Sequence, residues 1–161
     1  MLPKLLIPNP EPPRPLAGYG LPETPQLTWA FVAERMAAAR YYWISTAGPD
    51  GRPHAMPVWG VWQGDRLHFD GSPETRWARN LLANPAVCVH PPDAERVVVI
   101  EGRARTLADD ELTTTEWAEL DGLYRAKYQT EQGSPYWVVE PGLVLAWDGA
   151  MLGTMTRWRW E

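Results

Sequence analysis

Residues 50–62 read Asp-Gly-Arg-Pro-His-Ala-Met-Pro-Val-Trp-Gly-Val-Trp. The run opens on a turn, Gly48-Pro49-Asp50-Gly51, in which proline presets one dihedral and glycine accepts positive φ. His54 to Trp62 then has the composition of a strand, interrupted by Pro57. A proline inside a strand marks an edge or a bulge, because it cannot donate to the ladder. Upstream, Tyr41 to Ala47 is rich in aromatic and β-branched residues, which makes it the partner strand. Downstream, Gln63-Gly64-Asp65 turns the chain again and Arg66 to Asp70 returns it. The result is a meander of three strands.

Outward from this meander the elements alternate. Before it, Trp29, Val32, Ala33, Met36 and Ala37 share one face of a helix from about Trp29 to Ala39, with Thr28 as N-cap. After it, Gly71-Ser72-Pro73-Glu74-Thr75 forms a loop that opens a helix, which runs through Leu82 and stops at Asn84-Pro85. Ala86 to His90 and Arg96 to Thr106 are strands joined by a turn holding Pro91, Pro92 and Asp93. A third helix is expected from about Asp109 to Tyr128, on apolar Leu112, Trp117, Leu120 and Leu123. Tyr136 to Trp147 is a long strand, and Thr154 to Trp160 forms another. Five or six short antiparallel strands with inserted helices predict a mainly β chain with helices, an α+β protein built as a small Greek-key barrel. No internal repeat is visible.

Residues 1–25 carry Pro3, Pro8, Pro10, Pro12, Pro13, Pro15, Pro22 and Pro25, so they form neither a helix nor an interior strand. We read them as an extended arm and residues 26–161 as the domain. A tail without structure and an arm laid across a partner subunit through Leu5, Leu6, Ile7 and Leu16 are equally compatible with that composition.

Bulk properties remove several functions. The chain has 161 residues, 45% of them hydrophobic, with a formal net charge of −5. It lacks the basic footprint of a nucleic-acid binder, which also argues against single-strand binding by tryptophan stacking. The single cysteine, Cys88, excludes an internal disulfide and a cysteine-built metal site. No apolar run is long enough to span a bilayer, and Met1 to Ile7 is too short for a signal peptide, so the cytoplasm is the expected location. His54, His68 and His90 are scattered without metal-ligand spacing. Ser45 and Ser72 lack the glycine-flanked elbow of hydrolases, and no dinucleotide fingerprint follows a strand. We therefore expect neither a metal nor a side chain acting as catalyst. The ten tryptophans are unusual; each needs a partner for its ring N–H when buried, so pockets or interfaces should hold many of them.

One segment carries binding chemistry. The hydroxyl-rich loop at Ser72 and Thr75 opens onto a helix bearing Arg76 and Arg79. Backbone N–H groups of a helix start, with hydroxyls and a guanidinium, suit a phosphate. An ordinary capped surface helix begins the same way, and on local sequence alone that is the commoner case.

The order of these pieces resembles the pyridoxamine-phosphate-oxidase-like, flavin-binding split-barrel family. The resemblance rests on Asp50-Gly51-Arg52-Pro53-His54 followed by Met56-Pro57-Val58-Trp59, on Thr75-Arg76-Trp77-Ala78-Arg79-Asn80-Leu81 closed by Asn84-Pro85, and on Val97-Val98-Val99-Ile100-Glu101-Gly102. The ending Thr156-Arg157-Trp158-Arg159-Trp160 is similar to that of the family's deazaflavin-dependent branch. The resemblance implies a split-barrel homodimer with two cofactor sites at the interface. The ring system would lie along His54, Met56, Pro57, Val58 and Trp59. The phosphate would sit near Ser72, Thr75, Arg76 and Arg79, the Trp77 ring would pack against the cofactor or block it, and the partner's C-terminal aromatics, Trp158 or Trp160, would cover the ring.

There are departures. True pyridoxamine phosphate oxidases place an arginine and a lysine where this chain has Met56 and Val61, and a lysine where it has Trp77. The resemblance therefore implies a reductase that uses coenzyme F-420 (a deazaflavin) or FMN on a small organic substrate, and not a true pyridoxamine phosphate oxidase. The alternative from another class is a non-catalytic protein that sequesters a flavin, a haem-like tetrapyrrole or an aromatic metabolite.

Overall fold

The computed structural model of the chain describes residues 10–20 and 24–160. Along these run β1 (Arg14–Pro15), α1 (Trp29–Ala38), β2 (Tyr42–Ala47), β3 (Pro53–Val58), β4 (Gly60–Gln63), β5 (Arg66–Asp70), α2 (Arg76–Ala83), β6 (Ala86–His90), β7 (Arg96–Thr106), α3 (Thr114–Tyr128), β8 (Tyr136–Asp148) and β9 (Met151–Arg159). All strand pairs are antiparallel, in the order β1-β9-β8-β7-β6-β2-β3, with β5 joining β8 to β4. The expected mainly β barrel with inserted helices is what the chain forms.

The long strand β8 splits the barrel. One edge pairs with β7 over its whole length. The other edge pairs with β5 through Tyr136 to Val139 and with β9 from Leu143 to Asp148. The changeover lies at Pro141-Gly142, opposite the irregularity at Glu101/Gly102. A Cβ on Gly102 would overlap the Glu140 carbonyl, so the close approach of the two backbones there requires glycine.

The strand expected from His54 to Trp62 is two strands. β3 pairs with β2, whereas β4 pairs with β5, and the break falls at Trp59. Gly60 sits where a Cβ would lie 2.7 Å from the His68 carbonyl oxygen. The end of α3 fills the break: the Gly60 N–H donates to the Tyr128 hydroxyl at 2.8 Å, and Lys127 Nζ donates to the Gly60 carbonyl at 2.8 Å. β3 is left at the edge of the sheet, as Pro57 predicts. The turns on either side match the reading: Gly51 has φ +77°, and Gly64 and Asp65, at +57° and +59°, make the mirror-type hairpin turn that a right-twisted strand pair prefers.

α3 starts later than expected. Thr113 accepts from the Glu116 N–H while Glu116 accepts from the Thr113 N–H, a capping box that fixes the first turn at Thr114. Residues 109–112 fold back instead, with Trp117 Nε1 donating to the Asp109 carbonyl at 3.0 Å.

The proline-rich arm is structured in its described part. β1 pairs with β9 of the same chain; Glu11 N–H donates to the Arg159 carbonyl and Leu16 N–H to that of Met155. It is an edge strand, the one strand position open to proline. Leu5, Leu6 and Ile7 lie outside the described residues.

The core is aromatic at its centre. Phe69, Trp77 and Trp137 meet pairwise with ring centroids 5.3–6.3 Å apart. Val32, Met36, Tyr42, Ile44, Leu67, Val89 and Val144, all fully buried, surround them. A smaller cluster of Val61, Leu120, Tyr124 and Tyr128 seats α3.

Candidate binding groove

The helix start at Thr75 is built as its sequence indicates. Thr75 is the N-cap: its hydroxyl accepts from the Ala78 N–H at 3.3 Å and donates to the Ser72 carbonyl at 2.9 Å. Ser72 Oγ accepts from the Glu74 N–H at 3.2 Å. The Thr75 hydroxyl has thus spent its one proton on the fold, whereas Ser72 retains a proton to donate. The first two N–H groups of α2, at Arg76 and Trp77, lack intrahelical partners by helix geometry. Arg76 and Arg79 are exposed and carry no ion pair or side-chain hydrogen bond among the described residues.

A residue not singled out in the sequence aims this helix. Asn80 is buried and its Nδ2 donates to Thr46 Oγ1 at 3.0 Å, pinning α2 to β2. Thr46 stands opposite His54 in the β2–β3 register. Arg76 lies one turn before Asn80, on the same helix face. α2 packs against both β2 and β3, so its start lies on the side of the sheet that carries His54 and Met56. The spacing Arg76-x-x-x-Asn80 was the available signal.

The expected β3 residues divide between two faces. His54, Met56 and Val58 pair with Thr46, Ile44 and Tyr42, on the α2 side; Pro57 pairs with Trp43 on the other. Met56 is 42% exposed and Val58 is buried. Trp59, also 42% exposed, leaves the strand and stacks on Tyr128 at 4.7 Å with 2° between the planes. Pro57 cannot donate, so its backbone faces outward along with those of Pro53 and Ala55, and β3 presents carbonyls with only one N–H between them. Such an edge resists pairing with another strand and stays open to a ligand's polar rim.

Three expected site residues are placed elsewhere. Trp77 is 6% exposed, packed between Phe69 and Trp137, and a Cβ on Gly71 would overlap its ring. It is a core residue that presents only its backbone N–H to the groove. Trp158 is 2% exposed and meets Trp29 of its own chain edge-on at 5.5 Å. Trp160 is half-buried against the same Trp29 at 5.3 Å. Trp158 is consumed by the chain's own packing because α1 brings Trp29 over β9, whereas Trp160 keeps part of its surface and its Nε1 has no partner among the described residues. Val61, where a cation was sought, is buried under α3.

Among the buried and half-buried groups, a lysine and a histidine have lowered proton affinity. Burial holds Lys127 down to about 8, with Arg40 adding repulsion. Burial holds His68 down to about 4, and its Nδ1 lacks a partner among the described residues. No group of histidine, cysteine and carboxylate side chains among the described residues could hold a metal ion, and no described helix is long and apolar enough to cross a membrane.

Comparison with known proteins agrees with this architecture. The profile of the family described as Pyridoxamine 5'-phosphate oxidase matches residues 29–145. A conserved hypothetical protein of Mycobacterium tuberculosis superposes with a TM-score of 0.63 at 20% identity, over 81% of this chain and 93% of that one. An F420 reductase gives 0.54 at 23% identity over 75% and 98%. The haem storage protein of Vibrio cholerae gives 0.55 at 17% identity over 68% and 87%. At these identities the likeness is one of fold. No curated protein matches the sequence at a significant level. The family profile covers most of the chain and the split barrel agrees with it: this chain belongs to the pyridoxamine 5'-phosphate oxidase family of split-barrel proteins.

Proposed function

We propose that the groove between the β3 edge and the start of α2 holds a deazaflavin or flavin, and that the chain is a reductase acting as a homodimer on a small organic substrate. The observation that carries this reading is Arg76: an unpaired guanidinium beside two unsatisfied helix N–H groups, at the start of a helix that Asn80 pins beside an edge strand of exposed carbonyls. The donor set suits a phosphate. Arg76, the N–H groups of Arg76 and Trp77, and the Ser72 hydroxyl would hold it, with Arg79 one turn along; Thr75 would serve by capping. Met56 and Trp59 would offer apolar contact to a ring, and Ala55 N–H and the neighbouring carbonyls would meet its polar rim. Such a cofactor supplies the hydride chemistry itself, while the protein binds, orients and excludes water.

Coenzyme F-420 suits this donor set better than FMN. Burial of Val61 and Trp77 leaves no room for two of the three cations expected around FMN's dianionic phosphate, and Met56 supplies no charge at the third. A phosphodiester carries less charge and needs fewer cations. Trp43 and Met56 stand exposed on opposite faces of the β2–β3 pair and Trp59 just past its end, apolar surface of the sort that a second subunit covers. Fluorescence titrations with F-420 and FMN at one salt concentration test the ranking, and light scattering tests the dimer. Tighter or equal FMN binding overturns the ranking, and a monomer at micromolar concentration overturns the shared site.

One observation favours haem sequestration as a second reading: His54, half-buried on the α2 side of β3, carries no hydrogen bond among the described residues and is a free imidazole. A Soret band that survives gel filtration and disappears in His54→Ala would support it over the reductase.

A further inference from the structure

A second concave site lies away from the groove, between the end of α1, the start of β2 and the 91–96 turn. It is an open cleft of about 240 Å³ lined by Ala38, Ala39, Tyr41, Pro91 and Pro92 together with Arg35, Arg40 and Arg96. We infer that this pocket binds a small organic carboxylate with a flat apolar body.

The charges point that way. Three guanidiniums around one cavity are unexpected in a chain with a net charge of −5. The only carboxylate lining the pocket is Asp93. One of its oxygens is taken by the N–H groups of Glu95 and Arg96, at 2.8 and 3.1 Å, and it makes no ion pair within 4.0 Å of Arg35 or Arg96. Lys127 adds a further positive charge behind Arg40. The cavity is therefore electropositive before any ligand enters, and low-dielectric walls concentrate that field.

The arginines are held ready. The Arg96 guanidinium sits 5.1 Å from the Phe31 ring centroid, and that of Arg40 lies 5.7–5.9 Å from those of Tyr128 and Tyr41. Cation–π attraction at such distances favours these positions for the guanidiniums without using their N–H donors. Arg40 spends two donors, Nη1 on the Lys127 carbonyl at 2.9 Å and Nε on the Tyr41 hydroxyl at 3.4 Å, so only its second Nη is left for a ligand. Arg35 Nε is inaccessible to solvent and has no partner, a donor that is costly to leave unmet. That donor is closed to a ligand as it is to water; the Arg35 Nη groups, which make no hydrogen bond or ion pair among the described residues, are the ones left for a planar anion, in the end-on two-pronged geometry that guanidiniums favour.

The walls decide what carries the anion. Two prolines, two alanines and a tyrosine ring offer flat apolar surface and few hydrogen bonds. At about 240 Å³ the cleft falls just below the usual range of small-molecule sites, about 300–1,000 Å³, which suits a single substituted ring. A bare inorganic ion would leave most of the cavity unfilled.

The test uses the full chain and three probes: benzoate, its neutral analogue benzamide, and inorganic phosphate, followed by backbone amide shifts in NMR. The expected result is saturable binding of benzoate with shifts centred on residues 35–41 and 91–96, no saturation with benzamide, and weaker binding of phosphate. Arg35→Gln and Arg96→Gln should each weaken benzoate by about tenfold or more, the scale of one charged hydrogen bond. Comparison of benzoate with benzamide on the unaltered chain keeps the test decisive if either variant folds poorly. Equal responses to benzoate and benzamide, no saturation by benzoate, or tighter binding of phosphate would overturn the inference. None of these results bears on the groove at Arg76.

Discussion

The indole of Trp59 lies flat on the phenol of Tyr128, 4.7 Å between centroids and 2° from parallel. That contact joins the last turn of α3 to the point where β3 ends and β4 begins. The Tyr128 hydroxyl is held in turn, donating to the Arg40 carbonyl at 2.6 Å and accepting from Gly60 N–H. Lys127 ties the same carbonyl of Gly60 to Tyr42, whose hydroxyl donates to the Met36 carbonyl at 2.5 Å. Four elements thus meet at one backbone break, and the orientation of an exposed tryptophan at the groove depends on a helix distant in sequence.

The break should be intolerant of volume. Gly60→Ala places a Cβ 2.7 Å from the His68 carbonyl oxygen and 3.0 Å from Leu67 Cδ1. The carbonyl is held in a strand and cannot give way, so β4 and β5 must separate locally. Overpacking of this kind costs about 1–3 kcal/mol. Urea unfolding should show a lower midpoint with an unchanged slope. By contrast Gly122→Ala, in mid-helix with open space at the Cβ, should leave stability equal or higher.

Acid should weaken the fold through His68. The imidazole lies between β4 and α3, 4% exposed, and burial is the larger cause that lowers its proton affinity, to about 4. The unfolded chain takes up this proton below about 6.5, whereas the folded chain resists until about 4. Between those values the unfolded state holds more protons, so stability rises with pH and falls as acid is added. The loss should be on the order of 1–3 kcal/mol by the lower end of the window. His68→Gln should flatten the dependence between pH 6.5 and 5, above the range where carboxylates dominate. An undiminished slope in that variant would assign the acid sensitivity elsewhere.

Where local chemistry decides an element, the sequence is enough. Ala86–His90 and Arg96–Thr106 are bounded by prolines and turn residues, and both stand where they were read. The start of α3 was legible too, because Thr113-x-x-Glu116 is a capping box; the apolar residue at Leu112 instead drew the helix back to Asp109. The Trp59–Gly60 break was not legible. Val58 to Trp62 is a continuous apolar run, and what divides it is His68 on the next strand together with Lys127 and Tyr128, which are remote in sequence. The groove divides similarly. Arg76 could be read from its place at a helix start, but the burial of Trp77 depends on Phe69, Gly71 and Trp137, and that of Trp158 on Trp29.

Trp77 should therefore not tolerate the lysine that family resemblance would put there. Its ring fills the space between Phe69 and Trp137, with Gly71 against its far edge. Trp77→Lys removes that ring and buries an ammonium without an opposite charge. Truncation of a buried tryptophan alone costs about 3–5 kcal/mol, and the stranded charge adds to it. The expected result is a large fall in thermal midpoint, or an unfolded chain, with no gain in FMN affinity. A folded variant that binds FMN more tightly would show that this side chain can reach the groove after all.

Arg76→Ala should do the opposite: little to the fold and much to the ligand. The guanidinium is exposed, touches no partner among the described residues, and follows an N-cap that is complete without it. Changes at such positions usually stay within about 0.5 kcal/mol of the parent stability. In the groove, however, Arg76 is the cation at the start of the helix that Asn80 pins beside the β3 edge. A charged hydrogen bond to phosphate is worth about 1.5–3 kcal/mol, and about 1.4 kcal/mol is tenfold in affinity. Titration of Arg76→Ala with F-420 should thus show binding weaker by about tenfold or more at an unchanged thermal midpoint. Arg76→Lys should recover only part of it, since an ammonium lacks the planar fork. Asn80→Ala separates position from charge: it leaves Arg76 in place but frees α2 from Thr46, so both midpoint and affinity should fall together. Unaltered affinity in Arg76→Ala would put the phosphate elsewhere on the barrel.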